Sequence, residues 1–322
     1  MTAQRKTITL RAKLRTSVFL FILIGLAFSG LNALPALAHR TDGPVIQTFP
    51  AGHGPTALAS DGANIWIANQ YDNAVVKLRA SDGTLQGTFP VGPSPSDIIY
   101  DGANFWIANS ADGTVTKLRG SDGANLGTFT IATTSRSLAW DGANLWVASW
   151  DDGTVTKVRG TDGVIIGIYT VGRSPSDIVF DGSNIWVACW GSFSLVKLRA
   201  SDGVQLGKLR MQFGPQTLGF DGEKIWVADD SSSVLTVIRA SDNKIVGGAN
   251  GGAWPCGGMA CDGRNMWVTA YTGYTVNRVR ARDGTFARAI PVGVQPAGVI
   301  FDGTSIWVAN QADDTVTKIS ND

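Results

Sequence analysis

The chain has 322 residues, 44% of them hydrophobic, with 39 glycines and 11 tryptophans. Its 27 basic and 26 acidic side chains leave a net charge of +1, too little to make a nucleic-acid-binding surface. Glu223 is the sole glutamate; acids that are otherwise all aspartate suit turns and oppose helices, so an all-β protein is expected.

The first predicted element is a separate leader. Arg5, Lys6, Arg11, Lys13 and Arg15 precede an apolar run from Val18 to Phe28, and Ala36-Leu37-Ala38 follows. Basic, apolar and small segments in that order read as a signal peptide over residues 1–38, cleaved after Ala38. An uncleaved anchor is the alternative, because Ser17 to Ala38 approaches the roughly 20 residues that span a bilayer. Pro35 and the Ala-x-Ala ending favour cleavage, and no cysteine lies near the junction to take a lipid. Cleavage would leave one domain, residues 39–322, with 22 basic and 26 acidic side chains and a charge of −4. A secreted or periplasmic protein is then expected, with no membrane span and no nucleic acid as partner.

From Asp61 onward one phrase recurs. "DGANIWIAN" returns in altered form at Asp101, Asp141, Asp181, Asp221, Asp262 and Asp302, at intervals of 40 residues with one extra residue in "PCGGMACDG". Within residues 93–132, "SDIIY", "NFWIAN", "TVTKLR" and "NLGTFTI" are short apolar or alternating runs, mostly separated by Asp-Gly turns. Four antiparallel strands per period, seven times over, predict a seven-bladed β-propeller. The last period stops after its third strand, "TVTKISND", while "TDGPVIQTFPAGHGP" from Thr41 aligns with "SDGTLQGTFPVGPSP" from Ser81. Val45–Phe49 should therefore complete the last blade and close the ring. Trp66, Trp106, Trp146, Trp186, Trp226, Trp267 and Trp307 fall once per blade and should fill equivalent sites between blades.

Three cysteines remain. Cys256 and Cys261 would lie about 16 Å apart in extended chain, beyond the ~7 Å a disulfide tolerates, so only a bend at Gly257-Gly258 would let them pair. The spacing alone leaves that disulfide open.

"IWVAN" followed by "TVTKI", with "GTFPVGPSPSDIIYDG" and "GIYTVGRSPSDIVFDG", resembles the YVTN-type propeller repeats of exported bacterial proteins. More distantly the repeats are similar to those of virginiamycin B lyase and of NHL propellers. The resemblance covers the whole chain after the leader and implies the fold; such scaffold sequence carries unrelated activities. The lyase is understood to use a histidine base and a divalent metal. Here the mature chain has only His39 and His53, and Glu223 falls in a turn expected on the opposite face, so that catalytic set does not carry over.

If repeated positions are architecture, breaks in the repeat are the candidates for function. The loops between second and third strands read "NQYDN", "NSADG", "SWDDG", "CWGSF", "DDSSS", "AYTGY" and "NQADD". Tyr71, Trp150, Trp190, Phe193, Tyr271 and Tyr274 place aromatics where a turn needs none, and Asp151 adjoins Trp150. The blade-to-blade connections add His53, Asp97, Arg136, Arg173, Asp177, Phe213 and Trp254. The expected ligand-binding set is His53, Tyr71, Arg136, Trp150, Asp151, Arg173, Asp177, Trp190 and Tyr271, centred on the third and fourth blades. Aromatic walls with cationic donors suit an anionic or planar small molecule, a sugar or a peptide carboxylate. The alternative is that the aromatics cap blade edges while the arginines pair with Asp151, Asp152 or Asp177. The expected function is a non-catalytic, monomeric binding propeller without cofactor or metal, its partner a small molecule or an envelope or extracellular protein. A metal-assisted lyase or hydrolase using His53 or an aspartate is the alternative.

Overall fold

A computed structural model describes residues 43–255 and 257–320. The leader and Cys256, and with it the open disulfide, lie outside these residues. Among them are twenty-eight strands, β1 to β28 in chain order, arranged as seven four-stranded antiparallel sheets. Blade 1 is typical: β2 (Pro55–Ser60), β3 (Asn64–Asn69), β4 (Ala74–Arg79) and β5 (Leu85–Pro90) pair in sequence order. The innermost strands of blades 2 to 7 are β6 (Pro95–Tyr100), β10 (Ser135–Trp140), β14 (Pro175–Phe180), β18 (Pro215–Phe220), β22 (Met259–Cys261) and β26 (Pro296–Phe301). These line a channel of about 640 Å³. The expected all-β, seven-bladed architecture is the observed one.

Closure follows the register read from the sequence. β1 (Val45–Pro50) pairs with β28 (Thr315–Ser320), Val45 opposite Ser320 and Pro50 opposite Thr315, as the outer strand of blade 7. Pairing a strand from each end of the ring leaves no blade with an open third strand.

The repeated phrase forms one device in every blade. Asp141 follows the first strand of blade 3, and Gly142 takes φ 96°, a conformation that favours glycine. One Asp141 carboxylate oxygen accepts the backbone N–H groups of Ala143 and Asn144, and the other accepts Trp146 Nε1 at 2.8 Å. Burial works to raise this carboxyl, but the bonds from Trp146, Ala143 and Asn144 outweigh it and hold it below its ordinary value. Asp61, Asp101, Asp181, Asp221, Asp262 and Asp302 bind their own tryptophans in the same way. The aspartate is therefore committed to fixing the indole.

Each tryptophan is fully buried and packs into the next blade, Trp146 meeting Ile178, Ile185 and Val187. Above the indole, Lys157 Nζ lies 5.0 Å from the ring centroid and donates to Ala200 O of blade 4 at 2.6 Å. Lys77, Lys117, Lys197 and Lys318 repeat this strut to the following blade. A buried ammonium is costly unless its donors are met, and the neighbouring carbonyl, indole face and Asp141 carboxylate at 3.8 Å meet them.

The upper face of the ring carries the loops between second and third strands and the blade-to-blade connections. The lower face carries the other turns.

Candidate functional site

The seven inner strands carry just three charged side chains, Asp97 on β6, Arg136 on β10 and Asp177 on β14. All three line the channel in consecutive blades. The sequence grouped them with the blade-to-blade connections, although Asp97 also fell in the expected strand "SDIIY"; the structure places all three inside strands. Each of these strands has a bulge at its second residue, seen as a register shift between Ser135 and Ser137 in blade 3; Arg136 is itself the bulged residue, and Asp97 and Asp177 directly follow theirs. A bulge re-aims side chains, and it exempts its residue from the ladder. In blades 1, 2 and 4 the bulge residue is Thr56, Ser96 or Ser176, whose hydroxyl donates to the backbone of the following blade. In blade 3 it is Arg136.

Ser137 joins the two acids. Its Oγ lies 3.1 Å from Asp97 Oδ2 and 2.8 Å from Asp177 Oδ1. One hydroxyl has one proton and can donate to only one of them. Both contacts are attractive only if the other carboxyl carries a proton and donates back to Ser137 Oγ. The carboxylates also accept backbone N–H groups across blades, Leu138 N to Asp97 Oδ2 and Leu218 N to Asp177 Oδ2, each at 2.7 Å. Asp97 is raised to about 7, chiefly by removal from bulk water, with the charge of Asp177 adding to the shift against the Leu138 bond. Asp177 is raised as well, again chiefly by desolvation. Burial thus favours the state in which one of the two acids is protonated, the state that Ser137 needs to bond both.

Arg136 stands over the array. Although open to the channel water, it is ringed by channel wall, and that desolvation lowers its pKa against the opposing charges of Asp177 and Asp97. Its guanidinium carbon lies 5.1 Å from the Trp150 ring centroid. Trp150 stacks on Trp190, centroids 5.6 Å apart and planes inclined 24°. Trp190 Nε1 donates to Asp230 Oδ2 at 2.5 Å, tying the pair to blade 5. Among the described residues the Arg136 guanidinium makes no hydrogen bond and no ion pair with protein. Five donors in a planar fork thus face the channel mouth beside an indole.

The other expected residues divide clearly. Asp151 does not pair with an arginine; it accepts a bond from Thr134 Oγ1, while Asp152 accepts Thr133 N and Ser149 Oγ. Arg173 is exposed beside the short 3-10 turn Trp190–Ser192, and its guanidinium has no ion pair among the described residues. His53 and Tyr71 lie on the rim of blade 1. His53 Nδ1 is 2.8 Å from Asp72 Oδ1, and this bond, then the charges of Asp72 and Asp314, raise its pKa. Tyr71 covers Gly54, where a Cβ would fall 2.4 Å from the ring. Tyr271 sits on blade 6, its N–H on Trp254 O. The structure thus gathers Arg136, Trp150, Trp190 and Asp177 and leaves His53, Tyr71 and Tyr271 at other blades. Ser137, Asp97 and Asp230 belong to the gathered set but were absent from the expected one.

Among the described residues no three His, Cys, Asp or Glu side chains converge as metal ligands. Cys189 is buried, which pushes its thiol up to about 12 and leaves it unreactive.

A closed ring of seven four-stranded blades with a single lined channel defines the molecule as a seven-bladed β-propeller. No family model and no curated protein sequence matches the chain. Among solved structures it is similar to virginiamycin B lyase from Staphylococcus aureus, with TM-score 0.75 and 17% identity over 86% of this chain and 99% of that one. A streptogramin B lyase structure gives TM-score 0.75 and 16% identity over 87% and 98% of the two chains. Kuenenia stuttgartiensis hydrazine synthase gives 0.73 and 17% over 84% and 96%. At such identities the likeness establishes the fold alone, and these neighbours differ in activity.

Proposed function

We propose that this propeller is a non-catalytic binding protein, working outside the cytoplasm, that takes a planar organic carboxylate at the upper mouth of its channel on blades 3 and 4. One observation carries the reading: Arg136, alone among the six inner-strand bulges in bearing a charge, holds its guanidinium unpaired beside the Trp150–Trp190 stack. A carboxylate would take two of its donors in the bidentate geometry that guanidinium favours. A flat ligand body would extend over indole. Each stacking or cation–π contact is worth about 0.5 to 2 kcal/mol, so affinity between micromolar and millimolar is expected.

The test compares wild type with Arg136→Gln and with a Trp150→Ala, Trp190→Ala double variant, after confirming that all three melt alike. Each is titrated calorimetrically with aromatic carboxylates and with the matching neutral amides. The reading expects carboxylates to bind, amides to bind weakly, and both variants to weaken the carboxylate about tenfold or more. Binding should also be tighter at pH 6 than at pH 8, because a second negative charge on the Asp97–Asp177 pair would oppose the anion. Equal affinity in all three proteins would move the site elsewhere. Turnover of any ligand, abolished by Asp97→Asn, would favour a lyase or hydrolase instead.

A further inference from the structure

The lower face between blades 5 and 6 departs from the repeat at several places at once. On strand three of blade 5 the strut lysine is replaced by Val237. The carbonyl it would have reached, Ala281 O, is instead bound at 3.0 Å by Lys224 Nζ, coming from the turn position where other blades have asparagine or serine. The strut is preserved from a different direction, and a pocket of about 600 Å³ opens beside it.

Blade 6 fills the walls of that pocket with arginine. Arg264 stands where the other blades have Ala63, Ala103, Ala143, Ser183, Glu223 and Thr304. Arg278 stands where five blades have the strut lysine. Arg282 stands where blades 1 to 5 have serine or threonine. With Arg280 and Lys224 these make five cations against Asp221 and Glu223 in the lining. Asp221 accepts Trp226 Nε1 and two backbone N–H groups, and both acids lie by Lys224 Nζ, Asp221 at 3.7 Å and Glu223 at 3.9 Å, so neither forms an ion pair with an arginine of the lining.

The arginines are also short of partners. In blades 1 to 5 the arginine that ends strand three pairs with the aspartate three residues on, as Arg159 does with Asp162 at 2.8 Å. Blade 6 keeps both members, Arg280 and Asp283, but Arg282 Nε takes Asp283 at 3.0 Å. Among the described residues Arg280 and Arg264 have no ion pair. Arg278 Nε is buried without a hydrogen-bond acceptor, and Arg288 stands directly opposite Arg278 across the ladder. Like charges facing one another and a buried donor left unmet both oppose folding unless something else meets them.

We propose that this pocket binds a phosphate or sulfate ester, held by Arg264, Arg278, Arg280 and Arg282 with Lys224. A tetrahedral oxyanion offers acceptors in several directions and two or more lone pairs to each guanidinium, which a single carboxylate does not. The site is independent of the upper face. Its affinity is expected to fall with added salt, as the exposed members are screened.

The experiment titrates the purified protein at low salt with inorganic pyrophosphate, glucose 6-phosphate and glucose 6-sulfate. At least one should bind at millimolar concentration or tighter, and the better of the two sugar esters identifies the natural head group as phosphate or sulfate. An Arg264→Ala, Arg280→Ala double variant should weaken binding about tenfold or more, with an unchanged melting temperature because both side chains are exposed. An Arg119→Ala, Arg159→Ala double variant removes the same charge from blades 2 and 3 and should bind as wild type does. Arg282→Ala frees Asp283 to pair with Arg280 and should weaken binding more than Arg264→Ala. Equal weakening by the two double variants would reduce the effect to net charge and overturn the site. So would failure of all three anions to bind at about 10 mM, a free energy of under about 3 kcal/mol.

Discussion

Replacing Asp97 by Asn tests whether the channel stores a proton. The carboxyl of Asp97 is raised from 3.8 to about 7, by desolvation first and by the charge of Asp177. Between those values the folded protein keeps a proton that the unfolded chain has released. Stability therefore falls as pH rises through that window and levels off above about 7. At 1.36 kcal/mol per pH unit the full shift is worth on the order of 4 kcal/mol, and channel water should reduce the observed total to about 2 to 4 kcal/mol. Wild type and Asp97→Asn would be unfolded in urea at pH 5 and at pH 8, followed by tryptophan emission. Wild type should lose about 2 kcal/mol or more between the two, and the variant less, keeping the share that Asp177 contributes by its own desolvation. The asparagine is expected to cost about 1 kcal/mol at both pH values, because its amide cannot replace both oxygens that accept Ile98 N and Leu138 N. His53, raised by Asp72, and Asp177, raised chiefly by its own desolvation, also give stability that declines as pH rises, but they do so in both proteins. Parallel pH dependences would refute the shared proton.

Deletion of residues 39–50 removes β1 and leaves β28 as an open edge that lacks the Phe49 ring, now 5.8 Å from Trp307. A fall in melting temperature of about 10 °C and concentration-dependent association are expected, measured by calorimetry and sedimentation. N-terminal sequencing of the protein from its native host should begin at His39. Intact Met1 in the cytoplasm would end the reading of an exported protein, and recovery in the membrane would make it an anchored one.

The ring was readable because a repeat states each rule seven times. Strand bounds, the Asp-Gly turns and the origin of the closing strand all follow from aligning copies of one phrase. The purpose of the aspartate was not readable, since its bond to Trp Nε1 spans five residues around a turn and shows only in three dimensions. The site was half legible. Arg136, Trp150 and Trp190 broke the pattern and proved to be neighbours. His53, Tyr71 and Tyr271 broke it too, but a break in one copy says nothing of which other break it faces. Ser137 was hidden for the opposite reason: serine between two aspartates in the column Ala57, Asp97, Ser137, Asp177, Thr217 looks ordinary until the bulge turns all three toward one another. Reading that column across blades, instead of along the chain, was the available signal.

The exchange of Val237 and Lys224 carries a wider consequence. The boundary between two blades demands a positive charge at one point in space, beneath a particular carbonyl, and is indifferent to which stretch of chain delivers it. A copy that looks degraded when aligned with its siblings can thus be mechanically sound, its missing part supplied from the next turn. Such rerouting clears a volume that no regular copy possesses while leaving the seam intact. For a circular array, whose sevenfold monotony otherwise offers every surface seven times, displaced support is a way to make one seam chemically distinct from the other six without opening the ring.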